Sequence, residues 1–256
     1  MNTPASDYTR RFGGIARLYG QPAADALARA KVCVVGVGGV GSWAAEALAR
    51  SGIGALTLID PDNIAVSNTN RQIHALNDNF GQAKTTALHQ RIAQIHPDCA
   101  VREIEDFADE HNIADYLNHD FDFVIDAIDQ VRAKAAIADY CVKQRIALAV
   151  SGGAGGQRHP SQIRSGDLAD ARNDRLLANM RYRLRRHYGF ARGEGKRMGI
   201  QCVYSTETAV APQNGNEQCD TALQGLSCAG YGASMLVTAA FGLHLAHAAI
   251  EHIVSQ

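Results

Sequence analysis

Gly36-Val37-Gly38-Gly39-Val40-Gly41 spells GxGxxG between a β-branched run, Lys31 to Val35, and a stretch with the helical spacing of Trp43, Ala47 and Leu48. Small residues at such a junction let backbone N–H groups approach phosphate oxygens at a helix N-terminus. Asp60 closes the next apolar run, about twenty residues further on, where a carboxylate can accept hydrogen bonds from both ribose hydroxyls. So far a dinucleotide dehydrogenase fits equally well. Asn68, Asn70, Arg71 and Gln72 then form NxNRQ, and Lys84 opens the next helical pattern. Two further cations with amide donors suit a triphosphate better than a pyrophosphate, which the glycine amides and the helix dipole largely satisfy. Asp126 and Asp129, in Asp-Ala-Ile-Asp at the end of a later apolar run, are candidates for the nucleotide and, at Asp129, for Mg²⁺. A hard divalent ion is commonly held by one or two carboxylates and phosphate oxygens. The competing reading is that either Asp caps the helical pattern beginning near Arg132.

Positioning these residues takes alternating strands and helices. Strands are expected at Lys31–Val35, Leu56–Ile59, Ala100–Ile104, Phe123–Ile125 and Ala147–Val150, with helices over Ser42–Arg50, Lys84–Ile95 and Arg132–Lys143. This alternation predicts an α/β fold, a Rossmann-like, mainly parallel sheet with helices on both faces, completed by a C-terminal extension. The pattern breaks at Gly152-Gly153-Ala154-Gly155-Gly156. The chain is accordingly read as one domain, residues 1–256. It has an N-terminal arm (1–30), a nucleotide-binding core (31–150), and a remainder (151–256) of substrate-side loops, a basic segment and a C-terminal helix.

Composition narrows the class. The 256 residues are 46% hydrophobic and 20% charged, which excludes a disordered or collagen-like chain. Net charge is only −1, so any polyanion site must be local. Arg172 to Arg197 is such a place: nine basic residues against Asp174 and Glu194 give +7, leaving −8 for the rest. Arg181, Arg183, Arg185 and Arg186 with Tyr182 and Tyr188 could neutralise phosphates and stack on bases, which makes the segment a candidate RNA surface; an Arg-rich helix paired with acidic surface is the other reading. Six scattered cysteines contain no CxxC pair, against a zinc ribbon or a disulfide framework. No signal peptide is visible, so the cytoplasm is the expected address. Thr221 to Ile250 lacks charge and is long enough to cross a bilayer, yet its glycines and polar residues favour a buried helix with its approach loop over membrane association.

The joint set GxGGxG, Asp60, NxNRQ, Lys84 and DAID resembles the HesA/MoeB/ThiF family of ATP-dependent adenylating enzymes, relatives of ubiquitin-activating enzyme. The resemblance implies a homodimer with Mg-ATP and a carboxylate substrate converted to an acyl-adenylate with release of pyrophosphate. Arg11 is similar to the family's N-terminal arginine, which reaches the neighbouring subunit's ATP site. Members that activate small sulfur-carrier proteins usually hold zinc in two CxxC pairs, which this chain lacks. RFGGIARLYG, NTNRQIHAL, VIDAID, SGGAGGQ and LSCAGYGASM are similar instead to the branch that dehydrates threonylcarbamoyladenosine beside the tRNA anticodon, and that resemblance runs to the end of the chain. It leaves adenylation of a ubiquitin-like carrier's C-terminus as the alternative. A monovalent cation, Na⁺ or K⁺, in the glycine-rich loop stays open, as does a cysteine desulfurase and sulfur-acceptor pair (CsdA/CsdE) as partner.

The chemistry agrees with such an activity. A carboxylate is a poor electrophile because oxide would have to leave, whereas its anhydride with AMP leaves readily. Arg11, Arg71, Lys84 and the metal would stabilise charge as pyrophosphate departs. In ring closure the nucleophile belongs to the substrate, so no cysteine is expected to be essential. Cys228, between Ser227 and small residues just before the last helical pattern, is the candidate sulfur acceptor; a small buried residue at a tight helix start is the plainer reading.

Overall fold

The computed structural model describes residues 4–117, 120–193, 196–210 and 231–256. Two helices lead the chain, α1 (Pro4–Tyr19) and α2 (Gln21–Arg29), and deliver it to β1 (Lys31–Val35). There follow α3 (Gly41–Arg50), β2 (Ala55–Ile59), α4 (Lys84–Ile95), β3 (Ala100–Ile104) and the one-turn α5 (Ile113–Tyr116). Next come β4 (Phe123–Asp126), α6 (Val131–Gln144), β5 (Leu148–Ser151), β6 (Ile163–Asp167), α7 (Arg175–His187), β7 (Gln201–Ser205) and α8 (Met235–Val254).

Among the described residues the strands form one sheet in the order β3-β2-β1-β4-β5-β7-β6, parallel throughout except where β6 runs against β7. Alternate side chains of a strand face opposite sides. Val32 and Val34 of β1 join Leu48, Phe241 and Leu245 on one face, while Cys33 and Val35 join Ile137, Cys141, Leu177 and Met180 on the other. A strand covered on both faces has to read as an unbroken apolar run, and KVCVV does after its exposed first residue. From β1 the chain winds outward to β2 and β3, then returns to β4 and winds the other way. The order therefore reverses between β1 and β4, where crevices at strand carboxyl ends take ligands in open α/β sheets.

The sheet continues past residue 150. β7 adds parallel to β5, and β6 closes that edge, so the segment in which no strand was expected supplies one core strand and one edge strand. The apolar C-terminal stretch becomes α8, long and apolar enough by length and composition to cross a bilayer but mostly buried. Its Val237, Phe241, Leu245 and Ile253 lie in the core, where α8 packs on α3, β4 and β5. Contact with α3 is close because residue 242 is glycine: a Cβ there would lie 2.5 Å from the Val40 carbonyl oxygen and 2.9 Å from the Ala44 nitrogen. Gly242→Val is expected to push α8 off the first turn of α3 and cost about 1–3 kcal/mol, read as a lower urea midpoint. Nucleotide affinity should fall with it, because that turn forms the glycine loop's exit.

Candidate nucleotide site

The crevice at the β1–β4 switch is lined by the glycine loop. Gly36 sits at φ +82°, and a Cβ there would meet Ile128 Cγ2 at 2.8 Å; at Gly41 it would lie 1.8 Å from the Gly36 carbonyl oxygen. Only glycine fits either place. Gly39 lies under the Arg71 stem, whose Cγ and Cδ would be 3.3 Å from an added Cβ, and Gly38 faces the Gln72 amide at 3.7 Å. Asp60, at the end of β2, accepts the Val37 N–H (2.8 Å) on Oδ2 and the Asp62 N–H (3.0 Å) on Oδ1. The expected ribose acceptor thus also holds the loop's second residue in place.

Lys84 opens α4 as expected and is buried. Its ammonium lies 3.2 Å from Asp60 Oδ1 and 2.6 Å from Asp62 Oδ2, so its charge is matched by two carboxylates. Burial pushes the Asp60 carboxyl above its usual range, with Lys84 opposing. Arg71 donates to the Ser67 carbonyl (2.8 Å) and to Asn70 Oδ1 (3.0 Å), and burial lowers its pKa. Its own carbonyl accepts from the Trp43 indole at 2.9 Å. The two asparagines build the loop through their side chains. Asn68 Oδ1 accepts the Ala65 N–H at 2.9 Å; Asn70 Nδ2 donates to the Ala233 carbonyl at 2.9 Å, and the Met235 N–H returns a bond to the Asn70 carbonyl. NxNRQ is thereby tied to the start of α8. Gln72 Oε1 is buried without a partner beside the loop.

Asp126 corrects the expectation of a nucleotide ligand. Its side chain is wholly buried, as is that of Lys134, whose ammonium donates to Asp126 Oδ1 (2.8 Å) and to the Asp126 carbonyl (3.1 Å). Burial raises the Asp126 carboxyl pKa and Lys134 counteracts it. Removing one member of such a pair typically costs about 3–5 kcal/mol, while replacing both is often neutral. Lys134 escaped the sequence reading, although it stands among Ala133, Ala135, Ala136 and Ile137, all of them buried. Asp129 lies three residues on in the turn before α6 and is partly exposed. Among the described residues no three His, Cys, Asp or Glu side chains gather as a metal group. A single carboxylate completed by phosphate oxygens and water suits Mg²⁺, which keeps several waters, and does not make a zinc cage.

Other expected residues lie elsewhere. Arg11, on α1, donates to the Gln94 and Ile95 carbonyls at the end of α4 and pairs with Asp7, so in its own chain it caps a helix away from the glycine loop. Arg181 turns inward to the Leu168 and Ala171 carbonyls (3.1 and 2.9 Å), which removes it from a free RNA surface. Arg185 is half-exposed and binds the Ala191 carbonyl; Arg183 is half-exposed; Arg186 is exposed and stacks over Tyr182 at 5.8 Å. Cys33, Cys99, Cys141 and Cys202 are buried thiols whose pKa values burial raises, to about 11 for Cys99 and about 12 for Cys141 and Cys202. None is a nucleophile at neutral pH. Cys219 and Cys228 lie outside the described residues.

Comparison with known proteins places this geometry. The model of the ThiF family matches residues 8–254. The chain is 47% identical over 263 aligned residues to the tRNA threonylcarbamoyladenosine dehydratase of Escherichia coli (strain K12), covering 100% of this chain and 98% of that protein. Its Haemophilus influenzae counterpart is 44% identical over 98% of this chain and 95% of its own length. A crystal structure of the E. coli enzyme, TcdA, in complex with ATP superposes with a TM-score of 0.89, covering 100% of this chain and 97% of the other at 46% identity.

His74, the residue after Ile73 in the NxNRQ loop, is buried with neither ring nitrogen bonded. Burial, then Lys84 and Arg91, hold its pKa down at about 4, against 6.5 when free. A lowered histidine pKa favours the folded state above the unfolded value, and that stability is lost as pH falls from about 6.5 towards 4. At pH 5 the loss should be about 2 kcal/mol relative to pH 7. Urea unfolding of wild type should show that extra drop and His74→Leu should lack it; equal pH slopes in the two proteins would show that His74 is not the titrating group.

Proposed function

The chain belongs to the ThiF family, and on that premise we propose that it uses ATP to dehydrate threonylcarbamoyladenosine beside the tRNA anticodon to its cyclic form. The observation that carries the reading is a pair of cations around the glycine loop: Arg71 packed over Gly39, and Lys84 paired with Asp60, the carboxylate that holds the loop's Val37 amide beside a helix N-terminus that favours anions. The dehydratases of E. coli and H. influenzae, similar over essentially the whole chain, supply the substrate class. One adenylating domain in a cytoplasmic homodimer, taking tRNA that carries threonylcarbamoyladenosine, is the assembly proposed.

In the first step a threonyl carboxylate oxygen attacks the α-phosphorus of ATP, and the bond to the bridging oxygen breaks as pyrophosphate leaves. Arg71 and Lys84 neutralise the departing charge, joined by Arg11 from the neighbouring subunit. The Asp60 carboxylate orients the ribose while fixing the loop amide at Val37. Asp129 would hold Mg²⁺, whose chemistry is charge neutralisation along the phosphates. Positioning is the protein's main task here. In the second step a nucleophile of the substrate's own threonylcarbamoyl group attacks the acyl carbon, its proton passes to solvent, and AMP leaves with the former carboxylate oxygen. The nucleoside thus loses the elements of water without free water being released, and no enzyme thiol is consumed. Cys228 as a sulfur acceptor for a desulfurase pair, and Na⁺ or K⁺ in the glycine-rich loop, are secondary proposals independent of this chemistry.

The reading is tested by incubating protein, Mg-ATP and tRNA carrying threonylcarbamoyladenosine labelled with ¹⁸O in the carboxylate. Expected are a nucleoside lighter by one water and AMP bearing one label. Pyrophosphate released only when a ubiquitin-like carrier protein is added, with unchanged nucleoside and no labelled AMP, would support the carrier alternative. Asp129→Ala and Lys84→Ala should abolish AMP formation in protein of native circular dichroism.

For the RNA, the proposed binding surface is the outer side of α7, with Arg183, Arg185 and Arg186. Arg185→Ala/Arg186→Ala should flatten the log–log salt dependence of tRNA binding by about 0.7–0.9 for each phosphate that is no longer neutralised. Arg181→Ala, which removes hydrogen bonds to two carbonyls, should lower the melting temperature and leave that slope unchanged.

A further inference from the structure

Beneath the turn that carries Asp129 lies a charge pair with no access to solvent and no direct part in the chemistry. Lys134 reaches back from the first turn of α6 to two acceptors of one residue, Asp126 Oδ1 and the Asp126 carbonyl, and its own backbone N–H donates to the Gln130 carbonyl. Asp126 Oδ1 also accepts the Ile128 N–H at 3.1 Å, and the Ala127 N–H donates to the Val35 carbonyl of β1. Ile128 in turn occupies the space that a side chain on Gly36 would take. Residues 126–130 are therefore pinned to the sheet, to α6 and to the glycine loop.

A structural ion pair would be a poor device for stability here, because taking both charges out of water offsets most of their attraction. What this pair does achieve is directional. The ammonium fixes both the carboxylate and the carbonyl of the residue from which the turn departs, leaving Asp126 Oδ2 buried without a partner. The same ammonium is felt at Asp174, which accepts the Gly153 N–H at 2.9 Å and caps α7 through the Leu177 N–H.

We propose that Lys134 is a positioning residue: by clamping Asp126 to α6 it sets the direction in which the 126–130 turn presents Asp129 to the metal and phosphates. The inference rests on the adenylation reading and acts through Asp129. Second-layer residues that orient a metal ligand characteristically change metal affinity or activity by ~10–100-fold.

The test is Asp126→Asn/Lys134→Met, which removes both charges but keeps an acceptor for the Ile128 N–H. Three quantities are measured beside wild type: melting temperature, calorimetric ATP affinity in EDTA, and the Mg²⁺ concentration at half-maximal AMP formation. The expectation is a folded protein with ATP affinity in EDTA unchanged, a Mg²⁺ midpoint raised ~10–100-fold, and a lowered rate at saturating Mg²⁺. A folded double variant with wild-type Mg²⁺ midpoint and rate would overturn the proposal, as would a loss confined to ATP affinity in EDTA. Should that variant not fold, Asp126→Leu/Lys134→Met, an apolar pair that leaves no buried charge, is judged by the same three readouts and the same outcomes. If the adenylation reading itself is wrong, wild type makes no AMP from ATP and the modified tRNA, a result that differs from every outcome above.

Discussion

The approach of Gly41 to the Gly36 carbonyl, so close that an added Cβ would lie 1.8 Å from that oxygen, is the constraint on which the rest depends. It folds six residues into a turn tight enough to end β1 and begin α3. α8 packs against that turn through Gly242, Ile128 packs against Gly36, and Arg71 lies across Gly39. Three segments distant in sequence are thus assembled on one small turn. A methyl group at Gly36 or Gly41 would collide with backbone, the Ala127–Ile128 peptide at the first and the Gly36 carbonyl at the second, which has little slack to move.

Around this turn the protein buries charge deliberately. Asp60 with Lys84, and Asp126 with Lys134, lie at the ends of β2 and β4, and Asp174 caps α7 beside the loop that follows β5. Each would be costly in isolation, and each is satisfied mainly by backbone N–H groups or one ammonium at a strand's carboxyl end. Hydrogen bonds to a carboxylate are stronger than neutral ones and directional. A nucleotide meeting these loops finds their backbone already fixed, so less ordering is left to binding. Dehydration by adenylation needs that property more than it needs a reactive side chain, since the nucleophiles of both steps come from the substrate.

Legibility in the sequence followed the physics of periodicity. Most strands and helices with an apolar pattern were readable through residue 151: Lys31–Val35, Lys84–Ile95 and Ala100–Ile104 match residue for residue, the last although it is a largely exposed edge strand, and most other bounds differ by one. β6 reads IRSGD, with no apolar run, because it is an edge strand whose pairing with β7 needs only backbone. α1 and α2 left weaker traces because part of each helix faces solvent. For the site, residue types pointed to the right neighbourhood, and their hydrogen bonds divided them further. Asn68, Asn70 and Asp126 hold loops, while Arg181 satisfies carbonyls. Spacing alone does not distinguish a polar side chain that binds a ligand from one that binds the backbone positioning the ligand.

The same distinction explains why the basic segment resists a reading from charge alone. Nine cations in a row of helix and loop look like one electrostatic surface. Folded, they separate into Arg181, spent on carbonyls that close the β6–α7 connection; Arg185 and Arg192, which brace the turn after α7; and Arg186 with Tyr182, which face outward. A guanidinium with fixed carbonyl partners keeps its charge but loses freedom to follow a phosphate, so it contributes field without an adaptable grip. Since α7 is capped by Asp174, which also holds Gly153, the basic helix and the loop after β5 form one mechanical unit. An RNA bearing on the outer side of α7 would press on a helix whose first turn is anchored to the loop after β5. Recognition of the polyanion and placement of its reactive nucleoside would then use the same rigid element.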